Sequence, residues 1–291
     1  MTRVVRSRAE FLAARRAVAA ERVGAVLTMG ALHDGHVALL DAARAHDDAV
    51  IATVFVNPRQ FGPHEDLSRY PRPLEADVAR CEAAGVDLVW APGVDDVYPT
   101  PSRIGIDPGP LANELEGAAR PGHFAGVLLV VAKLLHLLRP TAAYFGAKDW
   151  QQLTLVRAMV TDLEMRAGVA AASSADVGAG VDIVAVETVR APDGLALSSR
   201  NVYLSGHDRV RATALSRALF AGRAAATGGT QAVLDAASAV LEADGLDAEY
   251  LELRGPDLGP APSAGAARLL VAARVGTTRL IDTVEVDLHP R

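Results

Sequence analysis

A chain of 291 residues, half of them hydrophobic and 22% charged, is long enough for one large or two moderate domains and too apolar for disorder. Its formal net charge of −6 excludes a broad cationic surface, and with it nucleic acid as the main partner, while a local anion pocket stays compatible. Cys81 is the single cysteine, so no disulfide forms within the chain, and its helical setting beside Val78 and Ala84 predicts a buried structural thiol. No membrane span is expected, because the longest apolar run, 127–138, is short and broken by Lys133. The arginine-rich start carries Glu10 and Glu21, which reads as an amphipathic helix without a targeting signal, and a cytoplasmic protein is expected.

Strand-like runs at 25–28, 49–56, 86–90 and 142–145 alternate with helical periodicity at 37–46, 74–84, 124–138 and 151–163. That alternation predicts an α/β fold: a doubly wound parallel sheet whose ligands sit beyond the carboxyl ends of the strands. The Ala-, Gly- and Ser-rich segment 166–180 has no period and reads as a loop, after which 181–189 resumes as a strand. Helices at 208–226 and 231–244, then strands at 250–253, 269–275 and 278–286, predict a second, smaller α+β domain. The expected division is 1–187 and 188–291.

The polar clusters fall at strand ends. Thr28-Met29-Gly30-Ala31-Leu32-His33-Asp34-Gly35-His36 joins the first strand to its helix and places two imidazoles where a helix dipole and backbone N–H groups favour an anion. Taken alone, such an H-x-x-H pair also reads as plain loop, or as part of a metal site, though no Cys/His cluster accompanies it. In Asn57-Pro58-Arg59-Gln60-Phe61, Gln60 can bind a carboxylate or hydroxyl of a small substrate. Glu65, Asp66 and Asp77 read either as helix-start caps or as help for Mg²⁺. In Gly146-Ala147-Lys148-Asp149-Trp150-Gln151-Gln152, Lys148 suits a transferring phosphoryl group, and Asp149 suits ribose hydroxyls or a helix cap. Leu197-Ser198-Ser199-Arg200-Asn201, after the Asp193-Gly194 turn, brings hydroxyls and a guanidinium that can close over phosphates as a mobile lid.

Together with Tyr70-Pro71-Arg72, Gly122-His123-Phe124-Ala125-Gly126-Val127 and Gly276-Thr277-Thr278-Arg279-Leu280-Ile281-Asp282, these motifs resemble, in order and along nearly the whole chain, the pantothenate synthetase family. That family is similar to the class I aminoacyl-tRNA synthetases: His33 to His36 resembles their H-I-G-H signature, and Ser198 to Arg200 resembles their K-M-S-K-S loop. The resemblance implies a Rossmann-like nucleotide- and pantoate-binding domain, a homodimer, and ligation of pantoate to β-alanine with ATP and Mg²⁺ through a pantoyl adenylate. It also implies nucleotide contacts by Met29, Gly30, Ala31, Leu32, His33, Asp34, Gly35 and His36, with His36 as proton donor and His33, Lys148 and Arg200 stabilising charge. Gly146, Ala147, Lys148, Asp149, Val189, Leu197, Ser198, Ser199 and Arg200 would complete the nucleotide site. Gln60 and Gln152 would hold pantoate, and Gln60 would also touch β-alanine; Asp77 is the candidate metal ligand.

Leu27, Ala147, Trp150, Glu187 and Thr283 depart from the family pattern, and 166–180 is longer than expected. The rival readings are a nucleotidyltransferase acting on a phosphorylated small molecule and a non-catalytic nucleotide sensor.

Overall fold

The computed structural model describes residues 1–63, 65–100, 103–165 and 180–289. Two compact units form: Met1–Gly146 with Leu155–Val186, and Ala147–Thr154 with Glu187–Arg291. The expected loop at 166–180 lies, Gly180 apart, outside the described residues.

Unit 1 runs β1 (Arg3–Val5), α1 (Arg8–Ala17), β2 (Val23–Thr28), α2 (Asp34–His46), β3 (Ala49–Val54), α3 (Leu74–Ala83), β4 (Leu88–Trp90), α4 (Val94–Val97), α5 (Leu115–Ala119), α6 (His123–Leu138), β5 (Ala142–Gly146), α7 (Trp150–Asp162) and β6 (Asp182–Val186), with the first turn of α7 belonging to unit 2. Its six strands are all parallel, in the order β1-β4-β3-β2-β5-β6. Strands such as Val-Gly-Ala-Val-Leu-Thr in β2 and Ala-Val-Ile-Ala-Thr-Val in β3 are apolar on both faces, as a sheet covered by helices on both sides requires. The chain leaves β2 for β3 on one side and returns to β5 on the other, so the ends of β2 and β5, at Thr28 and Gly146, flank the switch point where open α/β sheets bind ligands.

Beneath that edge the unit is held apolar. Phe11 of α1 stacks on Trp90 of β4 with centroids 4.2 Å apart, both side chains fully buried. Cys81 is fully buried as expected, and burial together with the Asp77 and Glu82 charges pushes its thiol up to about 12, which makes it inert. Val26, Leu40, Val50 and Val89 pack in the same core.

Unit 2 contains α8 (Gly206–Ala224), α9 (Gly229–Ala243) and an antiparallel sheet of β7 (Ala248–Arg254), β8 (Gly265–Val275) and β9 (Thr278–Leu288). Gly276, at φ +57, begins the two-residue turn between β8 and β9, where a positive φ matches the strand twist. Leu215, Leu219, Val233, Leu269, Val271 and Val286 form the core between the helix pair and the sheet.

Two sequence expectations shift. The 49–56 strand ends at Val54, because Phe55 to Asn57 leave the sheet for a 3-10 turn at Pro58–Gln60. The expected break after 187 falls at Val186, and 147–154 clusters with the second unit. The reason lies in that unit: the Trp150 indole N–H donates to Pro256 O at 2.8 Å, and the Arg268 guanidinium lies 3.6 Å from the Trp150 ring centroid. Trp150, a departure from the family pattern, is therefore an anchor.

Candidate active site

The β2–α2 loop is organised by its two histidines. His33 is the N-cap of α2; its Nδ1 accepts from Gly35 N at 3.1 Å, and His36 Nδ1 accepts from His33 N at 3.2 Å, a capping box built from imidazoles whose rings lie 4.1 Å apart. With both Nδ1 lone pairs engaged, the neutral form of each ring carries its proton on Nε2. At this helix start Gly35 N donates to His33 Nδ1, and His36 N and Val37 N donate to His33 O, so these three backbone donors serve the chain's own cap.

Asp77 of α3 holds the other half of the loop. Its side chain is buried, and its two oxygens accept from Ala31 N at 3.0 Å and Leu32 N at 2.7 Å. Ala31 has φ +51 and Gly30 φ +80, so the carboxylate stabilises a backbone that would otherwise be strained. A Cβ on Gly30 would stand 2.8 Å from Asp77 Oδ2 and 3.0 Å from Val54 Cγ1, so only glycine fits. Of the two readings of Asp77, the structure shows an anchor for the loop. Glu65 is engaged by Arg120, and among the described residues no three His, Cys, Asp or Glu side chains converge on a cation. The side chains of the described residues do not fit a resident Mg²⁺.

Gln60 ends the Pro58–Gln60 turn and is 8% exposed. Tyr98 donates to Asn57 Oδ1 at 3.0 Å, and Asn57 Nδ2 donates to Gln60 Oε1 at 3.1 Å, which fixes the amide orientation of both. Burial pushes the Tyr98 hydroxyl up to about 12, so it keeps its proton. Gln60 Nε2 is thereby turned to Met29 Sδ at 2.9 Å. A thioether is a weak acceptor, so this donor is readily given to a ligand oxygen. A cavity of about 430 Å³ opens beside Met29, Gly30, Phe55, Pro58, Arg72 and Asp77, a volume in the range of small-molecule sites. The histidines and Gln60 are not among its lining residues.

Unit 2 carries the remaining residues. Lys148 and Asp149 lie in a 3-10 turn before α7, with Lys148 Nζ 3.7 Å from Asp149 Oδ2; Gln152 lies on the first turn of α7 and Ala147 is fully buried. Val189 and Leu197 face each other across a small hairpin, with Leu197 N donating to Val189 O at 3.0 Å. Ser198 caps the following 3-10 turn, its Oγ accepting from Arg200 N at 3.3 Å.

Sequence reasoning missed the base of this hairpin. Arg190 grips Asp282 with Nη1–Oδ2 2.5 Å and Nη2–Oδ1 2.9 Å, also donates to Gly194 O at 3.2 Å, and lies over the Phe220 ring. The Asp282 carboxyl is pushed up by burial while Arg190 pulls it down. Thr283, another departure, donates through Oγ1 to Leu269 O at 2.8 Å.

A parallel sheet whose switch-point strand leads into a helix capped by two imidazoles defines a doubly wound α/β protein. A family model described as pantoate-beta-alanine ligase matches residues 2–285. The chain is 54% identical over 295 aligned positions to a pantothenate synthetase of Salinispora arenicola, covering 100% of this chain and 99% of that one, and 53% identical over 283 to one of Mycolicibacterium smegmatis, covering 94% and 86%. The fold matches the crystal structure of pantothenate synthetase from Thermus thermophilus with a TM-score of 0.87 at 47% identity, covering 98% of this chain and 100% of that one. It also matches a pantoate-beta-alanine ligase from Francisella tularensis, solved with β-γ ATP and β-alanine, with a TM-score of 0.77 at 30% identity over 98% of this chain and 97% of that one. The chain belongs to the pantoate-beta-alanine ligase family and is a ligase that forms pantothenate from pantoate and β-alanine.

Proposed function

We propose that the chain drives this ligation with ATP in two half-reactions. A pantoate carboxylate oxygen attacks the α-phosphorus, the α–β phosphoanhydride bond breaks, and pyrophosphate leaves. The neutral β-alanine amine then attacks the acyl carbon of the pantoyl adenylate, the C–O bond to AMP breaks, and the nitrogen releases a proton to water. The observation that carries this reading is the imidazole capping box. It fixes the rings of His33 and His36 beyond the end of β2 with their N–H groups at Nε2, a preorganised pair suited to negative charge developing on phosphorus and on the departing pyrophosphate. His36 donates a hydrogen bond from Nε2–H to the leaving group.

Met29 to His36, Gly146, Ala147, Lys148, Asp149, Val189, Leu197, Ser198, Ser199 and Arg200 bind the nucleotide. Lys148 and Arg200 add fixed positive charge to the phosphates. Gln60 and Gln152 read pantoate, and Gln60 also touches β-alanine. The complex of the Francisella relative with β-γ ATP and β-alanine supports those two substrates. Mg²⁺ belongs to this reading as a companion of the nucleotide phosphates, where it would neutralise charge; no step is drawn through it. Residence in the cytoplasm and a homodimer complete the proposal. The buried, lone Cys81 suits the compartment, and among the described residues no helix is long and apolar enough to cross a membrane.

The test is one incubation with ATP, Mg²⁺, pantoate and β-alanine, read by mass spectrometry. The reading expects pantothenate, AMP and pyrophosphate, with AMP in turnover amounts only when β-alanine is present. A dinucleotide-like product independent of amine, or no product, would refute it.

A further inference from the structure

The Gly122 to Val127 stretch stands out in the sequence, yet none of its residues has a role in the reaction above. Its geometry gives it one. Gly122, at φ +81, is the N-cap of α6 and sets His123 at the first helical position, 8% exposed. One turn on, a Cβ at Gly126 would stand 2.0 Å from Arg59 O and 2.8 Å from Gln60 N, so glycine alone lets the Pro58–Gln60 turn seat against the helix. Asn57 Nδ2 fastens the same seat by donating to Gly126 O at 3.1 Å.

Hydrogen-bond chemistry then dictates the state of His123. Arg120 donates from Nε and Nη2 to the two oxygens of Glu65 at 2.8 and 2.7 Å, and its Nη1 lies 2.9 Å from His123 Nε2. A guanidinium only donates, so Nε2 accepts and the imidazole proton sits on Nδ1. Nδ1 lies 2.8 Å from Gln60 O, which only accepts. The series Glu65, Arg120, His123, Gln60 therefore has a single proton arrangement in which every member is satisfied. Burial, and then the Arg120 charge, push the imidazole down to about 4, which keeps it neutral near pH 7.

We infer that His123 is a positioning residue: as a neutral imidazole held by Arg120 and Glu65, it fixes the backbone of Gln60 and so aims the amide that reads the hydroxy acid. The inference rests on the reading of Gln60 as a pantoate ligand. The carbonyl clamp from His123 and the side-chain clamp from Asn57 grip Gln60 at both ends, leaving Nε2 on its weak thioether acceptor for the substrate oxygen.

Gln60→Ala, His123→Phe, His123→Asn and the double variant Gln60→Ala/His123→Phe are to be assayed in the full-length enzyme, with circular dichroism as the check of folding. His123→Phe should raise the KM for pantoate about tenfold, the scale on which small misplacements act, and change the KM for ATP by less than about twofold. Asparagine sets an amide N–H where Nδ1 sits, so His123→Asn should stay near the parent. The double variant should match Gln60→Ala alone, because the imidazole acts through that residue. If His123→Phe does not fold, His123→Gln against His123→Asn carries the same contrast, since only asparagine restores the donor. A raised pantoate KM in Gln60→Ala with none in His123→Phe or His123→Gln would overturn this inference and leave the Gln60 reading intact. An unchanged pantoate KM in Gln60→Ala would remove both. Effects of the two substitutions that multiply in the double variant, or an asparagine variant as impaired as the phenylalanine one, would also overturn the inference.

Discussion

The β2–α2 loop and the Ser198 to Arg200 segment, both proposed to meet the nucleotide, are held in different ways. The first is fixed from afar: Asp77, 46 residues from Ala31, takes two backbone N–H groups, and the imidazoles cap each other's helix start, so the loop adopts a costly backbone without help from a ligand. The second hangs from its base. Arg190 and Asp282 clamp the hairpin, and nearer the tip Ser198 Oγ accepts from Arg200 N and Asn201 Nδ2 donates to Ala196 O. Preorganised donors belong where charge develops, and segments that close over a substrate need a firm base with an adjustable tip.

The contrast breaks most visibly at the hairpin base. Arg190→Met strips the buried Asp282 carboxylate of its ion-pair partner, and losing one partner of a buried pair costs about 3–5 kcal/mol. Urea unfolding should report that loss; a change below about 1 kcal/mol would mean the hairpin is anchored elsewhere.

Acid probes the fixed side through His123, whose imidazole ordinarily titrates at 6.5 and in the fold is held near 4. Between those values the unfolded chain takes up a proton that the folded one refuses. Stability from this group is therefore full above pH 6.5, lost as pH falls toward 4, and level below; the loss amounts to about 3 kcal/mol. His123→Phe should flatten that part of the pH–stability curve, and an unchanged slope would contradict the neutral assignment.

Asp77→Asn sets an amide N–H₂ against two backbone donors. A cost of about 1–3 kcal/mol in stability is expected, with a higher KM for ATP. A variant with parental kinetics would show that the loop does not depend on its distant anchor. The smallest effect concerns the adjustable side: trypsin cleavage after Arg200 should slow about threefold when ATP and pantoate are both present, on the scale of a loop that closes on its ligands. Equal cleavage with and without ligands would deny closure.

Some of this is legible in the sequence. Local period and turn chemistry reveal the parallel-sheet alternation, the later α+β pattern and the polar clusters at strand ends, because each is written in neighbouring residues. Arg3–Val5 is invisible there as a strand: three residues carry no period, and only pairing with β4 defines it. Asp77 reads as a metal ligand because a carboxylate at a helix start has the same appearance whether it meets a cation or a loop 45 residues away. The Trp150 anchor on Pro256, the clamp of Arg190 on Asp282 92 residues on, and the seat that Gly126 makes for Gln60 are likewise long-range contacts, to which spacing rules are blind.

The central claim is that His33 and His36 form a fixed donor pair serving an adenylate-forming step. Pantoate alone, without β-alanine, should then support exchange of labelled pyrophosphate into ATP. His36→Ala should lose that exchange and the full ligation in similar proportion, about a hundredfold to a thousandfold or roughly 3–4 kcal/mol, while its circular dichroism stays that of the parent. No exchange in the parent protein would contradict the two-step account, and parental exchange in His36→Ala would make that histidine a cap with no part in the chemistry.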